Sequence, residues 1–390
     1  MRIGVTVADK KKLQVFRKGW RRYNGKHRLH TAVMVRDEVG EALVEQMNKE
    51  RVELPVHSQI GFDRLRSSAK RRGKQEMTGA RWVLGVDGGA TTTTALLAEL
   101  ETGQVIGRGT GGSSNIQAVG ETVALRELNT AIATAFAAAG LRRQPVAAAA
   151  LGLAGIDLDG EDVIRGWADL VDLAERLVVV NDARLLFAAG TPHGWGLAVI
   201  AGTGSIAYIR TPEGNNDRRG GWGWLLGDEG SAFQIGLRAL RAVCRAADGV
   251  GPPTRLTQIF LDKLGSSQPR DLIPAVYRGN WDKAFIAQLA PLVLTWAAHD
   301  DVARQIVHTQ AQALARTAAA AVRLYRWPED HIPTALSGGL FLHSEMYRTH
   351  FLEYLREEDV VPEPVQTVEE PARGAVLLAR QLCSNSSLSG

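Results

Sequence analysis

The sequence predicts an α/β protein built from two similar halves, which form two lobes with a ligand-binding cleft between them. From Met77 onward, short apolar segments of strand length alternate with longer segments of helical periodicity. This alternation starts twice. Each start is a pair of strands joined by a turn rich in glycine and hydroxyl side chains, at 82–99 and again at 196–210. We therefore expect a duplicated fold.

The first pair of strands is "WVLGVDGGATTTTALLAE", residues 82–99, with the turn "DGGATT" between two apolar runs. Glycines let the backbone approach a ligand closely, and backbone N–H groups with threonine hydroxyls can bind a phosphate. Asp-Gly is also the commonest signal for an ordinary two-residue hairpin, so this segment alone leaves both interpretations open.

The first half continues with a third strand, a helix that ends at Gly140, and two further strand–helix pairs. Runs such as "VAAAALG" are apolar throughout, which indicates strands buried on both faces. The segments are, in order, "QVIGRGTGG", "AVGETVALRELNTAIATAFAAAGL", "VAAAALGLAG", "EDVIRGWADLVDLA", "RLVVVNDA" and "ARLLFAAG". We assign 77–192 to an N-terminal lobe, which also receives the C-terminal helix 371–383.

The second half opens with the strand pair "GLAVIAGTGSIAYIR" and the turn "TPEGN". Then come "GGWGWLLGDEG", the helix "SAFQIGLRALRAVCRA", helical segments over roughly 254–326, and the strand "PTALSGG". The last segments, "EMYRTHFLEYLREE", "DVVPEPVQ" and "PARGAVLLARQLC", predict a helix, a strand and a helix. We assign 193–370 to the C-terminal lobe and 384–390 to a disordered tail.

Residues 1–76 have a different composition from the rest of the chain. They hold 19 Lys and Arg against 9 Asp and Glu, whereas the whole chain has 46 against 42. The segment "DKKKLQVFRKGWRRYNGKHR" mixes basic and aromatic residues, but it matches no nucleic-acid-binding motif, so we do not expect a nucleic-acid partner. We interpret 1–76 as an upstream extension or a mis-assigned start, with a disordered tail as the alternative.

The cysteine content and hydropathy predict a cytoplasmic protein without a membrane anchor. Cys244 and Cys383 are too few and too far apart in sequence to form a metal cluster, which favours a reducing compartment. No apolar run reaches the roughly 18 residues that a membrane span requires.

Two glycine motifs satisfy the dinucleotide-binding pattern, "GRGTGG" at 107–112 and "GTGSIA" at 202–207. Such a motif requires a helix directly after the glycines. The residues from Ser205 to Arg210 instead alternate like a strand. We therefore exclude dinucleotide binding and interpret 202–205 as a second phosphate-binding hairpin, equivalent to the first.

Two phosphate-binding hairpins, one in each half, resemble the actin-like, ribonuclease-H-like ATPase fold. A series of motifs makes the resemblance more specific: "VLGVDGGATTT", "SSNIQAVG", "LGLAGID", "VVNDA", "IAGTGS", "GGWGWLLGDEGSAFQIG" and "LSGGLF", in this order. They are similar to the N-acetylglucosamine kinase and BadF/BadG/BcrA/BcrD ATPase family, and the resemblance covers 77–383.

Phosphoryl transfer requires a base, a cation and phosphate-binding groups. Asp182 lies at the end of the strand "RLVVVND", where active-site residues of parallel sheets collect, and we predict that it is the catalytic base. The structural alternative is that Asp182 serves only as the N-cap of the helix "ARLLF". We expect Asp87 to bind Mg²⁺ or its water. The predicted ATP- and phosphate-binding residues are Gly88, Gly89, Thr91, Thr92, Gly202, Thr203, Gly204, Gly338 and Gly339. The predicted substrate-binding residues are Asn115, Ser205, Gly221, Trp222, Asp228 and Glu229.

The resemblance implies an ATP-dependent amino-sugar kinase that forms N-acetylglucosamine 6-phosphate. ATP, Mg²⁺ and the sugar are the expected ligands, and we expect a homodimer. In "LGLAGID", Ala154 stands where eukaryotic N-acetylglucosamine kinases carry a serine, so glucosamine and N-acetylmuramic acid remain alternatives. An iron–sulfur ATPase activator is disfavoured by the spacing of the two cysteines, and sugar kinases of the repressor group by the absence of a cysteine-rich zinc motif. A non-sugar, actin-like ATPase is the remaining alternative.

Overall fold

The computed structural model describes residues 82–156, 160–279 and 281–384. The predicted basic extension at 1–76 lies outside these residues, as does most of the predicted disordered tail. Ser384, which we assigned to the tail, is the last residue of the final helix.

The first half contains a five-stranded mixed sheet. Its strands are β1 (Trp82–Gly88), β2 (Thr93–Glu99), β3 (Val105–Gly111), β4 (Ala148–Leu153) and β5 (Leu177–Asn181). The spatial order is β3-β2-β1-β4-β5. The strands β1, β2 and β3 form an antiparallel meander, while β4 and β5 run parallel to β1.

The second half repeats this arrangement strand for strand. Its strands are β6 (Gly196–Ala201), β7 (Ser205–Arg210), β8 (Asn216–Gly220), β9 (Ile332–Ser337) and β10 (Pro362–Val368). The spatial order β10-β9-β6-β7-β8 is that of the first sheet read from its other edge. The first strand is again antiparallel to the second and parallel to the fourth. The duplication predicted from the sequence is confirmed.

The sequence analysis did not predict β8, because its residues "NDRRG" are polar and do not alternate. The strand lies at the edge of the second sheet and pairs only with β7. An edge strand needs little apolar surface, and charged side chains on it are typical.

Helices lie between and beside the two sheets. Those of the first half are α1 (Ile116–Val119), α2 (Glu121–Ala138), α3 (Glu161–Leu170) and α4 (Ala183–Gly190). Those of the second half are α5 (Ala232–Ala247), α6 (Leu256–Leu264), α7 (Leu272–Arg278), α8 (Lys283–Ala287), α9 (Ala290–Trp296), α10 (Asp301–Val322), α11 (Gly339–His343), α12 (Glu345–Glu357) and α13 (Pro371–Ser384), with a 3₁₀ turn at Pro269–Asp271. No helix in the described part of the chain is long and apolar enough to cross a membrane.

The glycines of "GRGTGG" have a packing role in β3. A Cβ atom at Gly107 would lie 2.1 Å from the carbonyl oxygen of Ala135, and one at Gly109 would lie 2.0 Å from that of Ala131. These glycines alternate along the strand and face α2, so the helix backbone rests directly on the strand backbone. The motif thus lies almost wholly within a strand, and close contact with the helix explains its glycines.

The last helix of each half packs on the sheet of the other half. In α4, Leu186 and Phe187 contact Ala335 of β9 and Val368 of β10 in the second sheet. The final helix α13 lies on β1, β2 and β4 of the first sheet. The two helices also touch each other closely, because a Cβ at Gly374 of α13 would lie 2.0 Å from the Leu185 carbonyl oxygen of α4. We call α4 and α13 the crossed helices.

Candidate active site

Two predicted site acids lie at the carboxyl edge of the first sheet. Asp87 is near the end of β1, where it pairs with Gly152 of β4. Asp182 directly follows β5, the next parallel strand along the sheet. A single strand separates them, which corresponds to two strand spacings, or about 10 Å. The fold therefore brings together two acids that are far apart in sequence.

The Asp87 carboxyl lies in a strongly negative environment. Burial raises its pKa from 3.8 to about 7, and the charges of Asp182 and Glu370 contribute further to this increase. Carboxylates that repel one another in this way stabilise a bound cation, because the cation offsets their mutual repulsion.

The Asp87 environment fits Mg²⁺ in one respect and limits it in another. Its oxygen donors are the ligand type that Mg²⁺ prefers. However, the described residues contain no cluster of three or more His, Cys, Asp or Glu side chains close enough to hold a metal ion by themselves. Mg²⁺ in phosphoryl-transfer sites is commonly bound by one or two carboxylates together with waters and substrate phosphates. The donor set therefore suits a cation that arrives with a nucleotide.

Glu370 is a site residue that the sequence analysis missed. It directly precedes α13 and forms ion pairs with Arg108 of β3 and, at 3.0 Å, with Arg373 of α13. In the sequence it looks like an ordinary acid at the start of a helix. Only the packing of α13 on the first sheet brings its charge close to Asp87.

Asp182 also lies at the N-cap position of α4, which is the structural alternative to a catalytic role. Its Oδ1 atom accepts a hydrogen bond from the N–H of Ala183 at 2.9 Å at the start of α4. The Oδ1 atom of Asn181 accepts from the same N–H at 3.0 Å. Because Asn181 shares the cap, helix initiation does not depend on the Asp182 carboxylate alone.

The turn between β1 and β2 is open on its outer side. The side chains of Thr91 and Thr92 are exposed, while the Gly89 N–H is bonded to the Thr92 carbonyl at 2.9 Å. The base of the turn is tightly packed, since a Cβ at Gly88 would lie 2.2 Å from Ser114 Oγ. The turn thus combines a rigid base with accessible hydroxyl groups, as the predicted phosphate-binding role requires.

The neighbouring loops complete the first group of predicted site residues. Asn115 caps α1, with its Oδ1 atom accepting from the N–H groups of Gln117 at 3.0 Å and Ala118 at 3.1 Å. The Ala154 N–H donates to the Gly88 carbonyl at 2.8 Å. Since the Asn115 oxygen serves the cap, its amino group is the part suited to a ligand.

The turn between β6 and β7 is more closed than the first turn. The Gly202 N–H donates to the Gly204 carbonyl at 2.9 Å, and the Gly202 carbonyl accepts from the Ala232 N–H at 2.8 Å. Gly338, at φ 94°, lies directly beneath it, because its Cβ would lie 2.5 Å from the Ala201 carbonyl oxygen. The fold thus places 338–339 next to 202–204, as expected for residues that share one ligand.

Asp228 is the most unusual residue of the second group. It is 4% exposed and adopts φ 60°, which is rare for a residue other than glycine. Its Oδ1 atom is 3.5 Å from the Ser205 N–H, and its buried Oδ2 atom has no hydrogen-bond partner among the described residues. Burial is the main cause that raises the pKa of its carboxyl group. A residue at positive φ and an unsatisfied buried acceptor are both features that occur often at functional sites.

The loop preceding Asp228 carries an exposed apolar patch. Trp222 is 73% exposed, and Leu225 and Leu226 are similarly exposed. Apolar side chains grouped beside a buried acid are typical of a ligand-binding or interaction surface. Glu229 is exposed next to Asp228, whereas Ser205 is buried and its hydroxyl donates to the Glu229 carbonyl at 2.7 Å.

The predicted residues thus form two groups, one at the end of β1 and the other at the end of β6. A duplicated α/β fold with a glycine-rich turn after the first strand of each half is the arrangement of the actin-like ATPase class. Within this class, the model of the BadF/BadG/BcrA/BcrD ATPase family matches residues 84–379. The chain belongs to this family, as the motif resemblance indicated.

Two relatives match over nearly their whole length. An N-acetylmuramic acid/N-acetylglucosamine kinase of Clostridium acetobutylicum is 30% identical over 305 residues, which cover 78% of this chain and 99% of that protein. An N-acetyl-D-glucosamine kinase of Dictyostelium discoideum is 32% identical over 311 residues, covering 76% of this chain and 97% of that protein.

A solved structure supports the fold. The structure of a proposed N-acetylglucosamine kinase from Chromobacterium violaceum superposes on this protein with a TM-score of 0.59. The two chains are 29% identical, and the match covers 77% of this chain and 99% of the other. The two-lobe α/β ATPase fold predicted from the sequence is confirmed.

Proposed function

We propose that this protein is an ATP-dependent amino-sugar kinase that converts N-acetylglucosamine to N-acetylglucosamine 6-phosphate. The observation that carries the phosphoryl-transfer chemistry is the coupled pair of acids, Asp87 and Asp182, beside the glycine- and threonine-rich turn. The sugar class is supported by the two relatives, which are named as kinases of N-acetylated amino sugars and match over 97–99% of their length.

In this proposal Asp182 is the general base. It accepts the proton of the 6-hydroxyl group as that oxygen forms a bond to the γ-phosphorus of ATP and the bond from that phosphorus to the bridging oxygen of ADP breaks. The turn at 88–92 binds the transferred phosphoryl group, and the turn at 202–204 binds the other phosphates. Gly338 and Gly339 lie beneath the adenosine.

Asp87 is the proposed Mg²⁺ residue. The ion, when bound, offsets the negative charge of the phosphates. Asp87 holds it directly or through a water. Burial, and after it the charges of Asp182 and Glu370, raise the pKa of Asp87, and a bound cation would oppose this increase.

The acceptor sugar is bound by the loops around Asp228. The unsatisfied Oδ2 atom of Asp228 accepts a hydrogen bond from a sugar hydroxyl, and the exposed ring of Trp222 packs against the sugar. Asn115, Ser205, Gly221 and Glu229 complete the proposed sugar site. Ala154 supplies no hydroxyl there, so glucosamine and N-acetylmuramic acid remain the alternative acceptors.

A coupled assay of ADP release tests this proposal. The wild-type protein is given ATP, Mg²⁺ and one acceptor at a time: N-acetylglucosamine, N-acetylmuramic acid, glucosamine or glucose. We expect the highest kcat/KM with N-acetylglucosamine and loss of turnover when EDTA removes the metal. Equal inactivity with all four sugars contradicts the kinase proposal, and activity that persists in EDTA contradicts the role of Mg²⁺.

We also propose a homodimer in the cytoplasm, as expected from the sequence. Light scattering coupled to size-exclusion chromatography tests the oligomeric state, because a mass near the 42.2 kDa of one chain contradicts the dimer.

A further inference from the structure

The turn that carries Asp228 is held by side chains from two helices distant in sequence. Gln310 of α10 and Tyr347 of α12 are both completely buried. The Gln310 Oε1 atom accepts a hydrogen bond from the Gly230 N–H at 3.0 Å, and the Tyr347 hydroxyl donates one to the Gly230 carbonyl at 2.5 Å. The two side chains therefore hold both polar backbone groups of a single residue.

Gly230 fits closely between these helices. It adopts φ 81°, and a Cβ there would lie 2.5 Å from the Cβ of Leu314 and 2.9 Å from the Tyr347 hydroxyl oxygen. No larger residue fits this position without moving α10 or α12. The close approach brings Gln310 and Tyr347 within hydrogen-bond distance of Gly230.

The carbonyl groups of the neighbouring residues are also bonded. The Gly227 carbonyl accepts from Gln234 Nε2 at 2.9 Å, and the Asp228 carbonyl accepts from the Ser231 N–H at 3.0 Å. As described above, the Glu229 carbonyl accepts from a serine hydroxyl. Every carbonyl from 227 to 230 is thus fixed, whereas the Asp228 Oδ2 atom remains unsatisfied within the described part of the protein.

We propose that Gln310 and Tyr347 are positioning residues for sugar recognition, which act through the Asp228 carboxylate. A residue other than glycine at positive φ is held in an unfavourable conformation, and it persists only where the surroundings impose it. If the bonds to Gly230 were lost, Asp228 would relax and its Oδ2 atom would leave the position at which it meets a sugar hydroxyl. This inference rests on the proposed amino-sugar kinase activity.

The substitution Tyr347→Phe removes the hydroxyl and keeps the ring. A neutral hydrogen bond lost in this way corresponds to about a fivefold change in an equilibrium constant. We expect KM for the sugar to rise about fivefold or more, with KM for ATP within twofold of wild type.

Tyr354→Phe is the matched control. Tyr354 lies on the same helix α12 and its hydroxyl is bonded to His308 Nδ1 of α10 at 2.9 Å, so it joins the same two helices without touching the turn. KM for the sugar should stay at the wild-type value. An equal rise in both variants would mean that the helix pair matters only for stability, and would overturn the proposal.

A second pair of variants covers the case in which Tyr347→Phe does not fold. Gln310→Met removes the oxygen acceptor for the Gly230 N–H at similar size and buries no charge, and Gln305→Met on the exposed face of α10 is its control. The proposal requires a higher sugar KM in Gln310→Met than in the control, and equal KM values overturn it.

A double-mutant cycle tests whether Tyr347 acts through Asp228. Coupled residues show non-additive effects, whereas independent ones add in free energy. In the Asp228→Asn background, Tyr347→Phe should change the sugar KM by less than twofold. A full fivefold effect in that background overturns the proposed route.

Hydrogen–deuterium exchange separates this inference from the proposed function, because it needs no substrate. Peptides that cover 227–231 should exchange faster in Tyr347→Phe than in wild type and in Tyr354→Phe. Unchanged exchange overturns the inference whatever the enzyme phosphorylates. Wild-type protein that turns over none of the sugars overturns the proposed function and the sugar-recognition part of the inference, even where the exchange result shows that Tyr347 holds the turn.

Discussion

The two halves of the molecule share one strand order but differ at the turn after their first strand. In the first half, the turn at 89–92 exposes its threonines and lies beside two half-buried acids, Asp87 and Asp182. In the second half, the turn at 202–204 is bonded to α5 through the Ala232 N–H and lies against a buried acid, Asp228. Duplication has thus kept the backbone scaffold while the chemistry at equivalent positions has diverged.

Under the proposed function, the acids of the first half take part in the reaction and the acid of the second half recognises the sugar. Accessible acids that repel one another suit a reacting centre, where charge changes and a cation or proton is exchanged. A single buried, rigidly held acceptor suits recognition, since it discriminates against ligands that lack the matching donor. Substitutions in the two halves test this difference in role.

The largest effect is expected from Asp182→Asn. The variant keeps the size of the side chain and loses the proton acceptor, so kcat should fall by about 10²–10⁴-fold while KM for the sugar and ATP stays close to wild type. Asn caps a helix as well as Asp does, and the Oδ1 of Asn181 already shares the Ala183 N–H, so the melting temperature should hardly change. Turnover within a few fold of wild type would leave Asp182 with only its capping role.

Asp228→Asn should instead affect sugar binding. Asn tolerates positive φ, so the turn can be kept, but the amide replaces one carboxylate oxygen by a donor and mismatches the sugar hydroxyl. We expect the sugar KM to rise about 10–100-fold, as for loss of a charged hydrogen bond, with a smaller change in the ATP KM. Glu213→Gln, in the exposed turn after β7, is the control for loss of one negative charge. If Asp228→Asn lowers kcat alone, recognition is not its role.

Gly88 and Gly202 occupy equivalent positions in the two turns, so alanine substitutions there compare how tightly each position is packed. A Cβ at Gly88 would clash with Ser114 and with Leu153, 2.4 Å from its Cδ2, whereas a Cβ at Gly202 has no described atom within 4 Å. Gly88→Ala should therefore destabilise the protein by about 1–3 kcal/mol, and Gly202→Ala by less than about 0.5 kcal/mol. Thermal unfolding of both variants measures this. Equal destabilisation would mean that the second turn is as tightly packed as the first.

The smallest expected effect is on how the stability of the protein depends on pH. The pKa of Asp228 is higher in the folded protein than its ordinary value of 3.8, so the folded state binds this proton more tightly than the unfolded state does. Its contribution to stability is therefore greatest at low pH, and it decreases as pH rises from near 3.8 through the raised pKa. Urea unfolding across this range should show a flatter pH profile for Asp228→Asn than for wild type. Parallel profiles would contradict the raised pKa.

The parts of the site that the sequence predicted are those with local signals. The turns at 88–92 and 202–205 combine glycine and hydroxyl residues with flanking apolar strands, and this pattern depends on neighbouring residues alone. Asp182 was predicted because it directly follows the apolar strand β5. Strands and helices with clear periodicity were predicted for the same reason, whereas the polar edge strand β8 was missed.

The residues that the sequence did not predict act across long distances in the chain. Glu370 reaches Asp87 because α13 packs on the first sheet. Gln310 and Tyr347 occupy buried helix positions, which a sequence pattern assigns to the core, and their contact with Gly230 depends on how α10 and α12 meet. Local helix formation also differed from the prediction at Gly120, whose φ of 78° divides one predicted helix into α1 and α2.

The crossed helices have a consequence for how the chain folds during synthesis. The face of the first sheet that meets α13 is made early by the ribosome, but the helix that covers it is made last. Until then, Val83, Leu96 and Ala148 expose apolar surface that an unfinished chain can bury only against other molecules. The N-terminal half should therefore bind chaperones until residues 371–384 have been synthesised. Separately expressed halves should become soluble only when they are produced together.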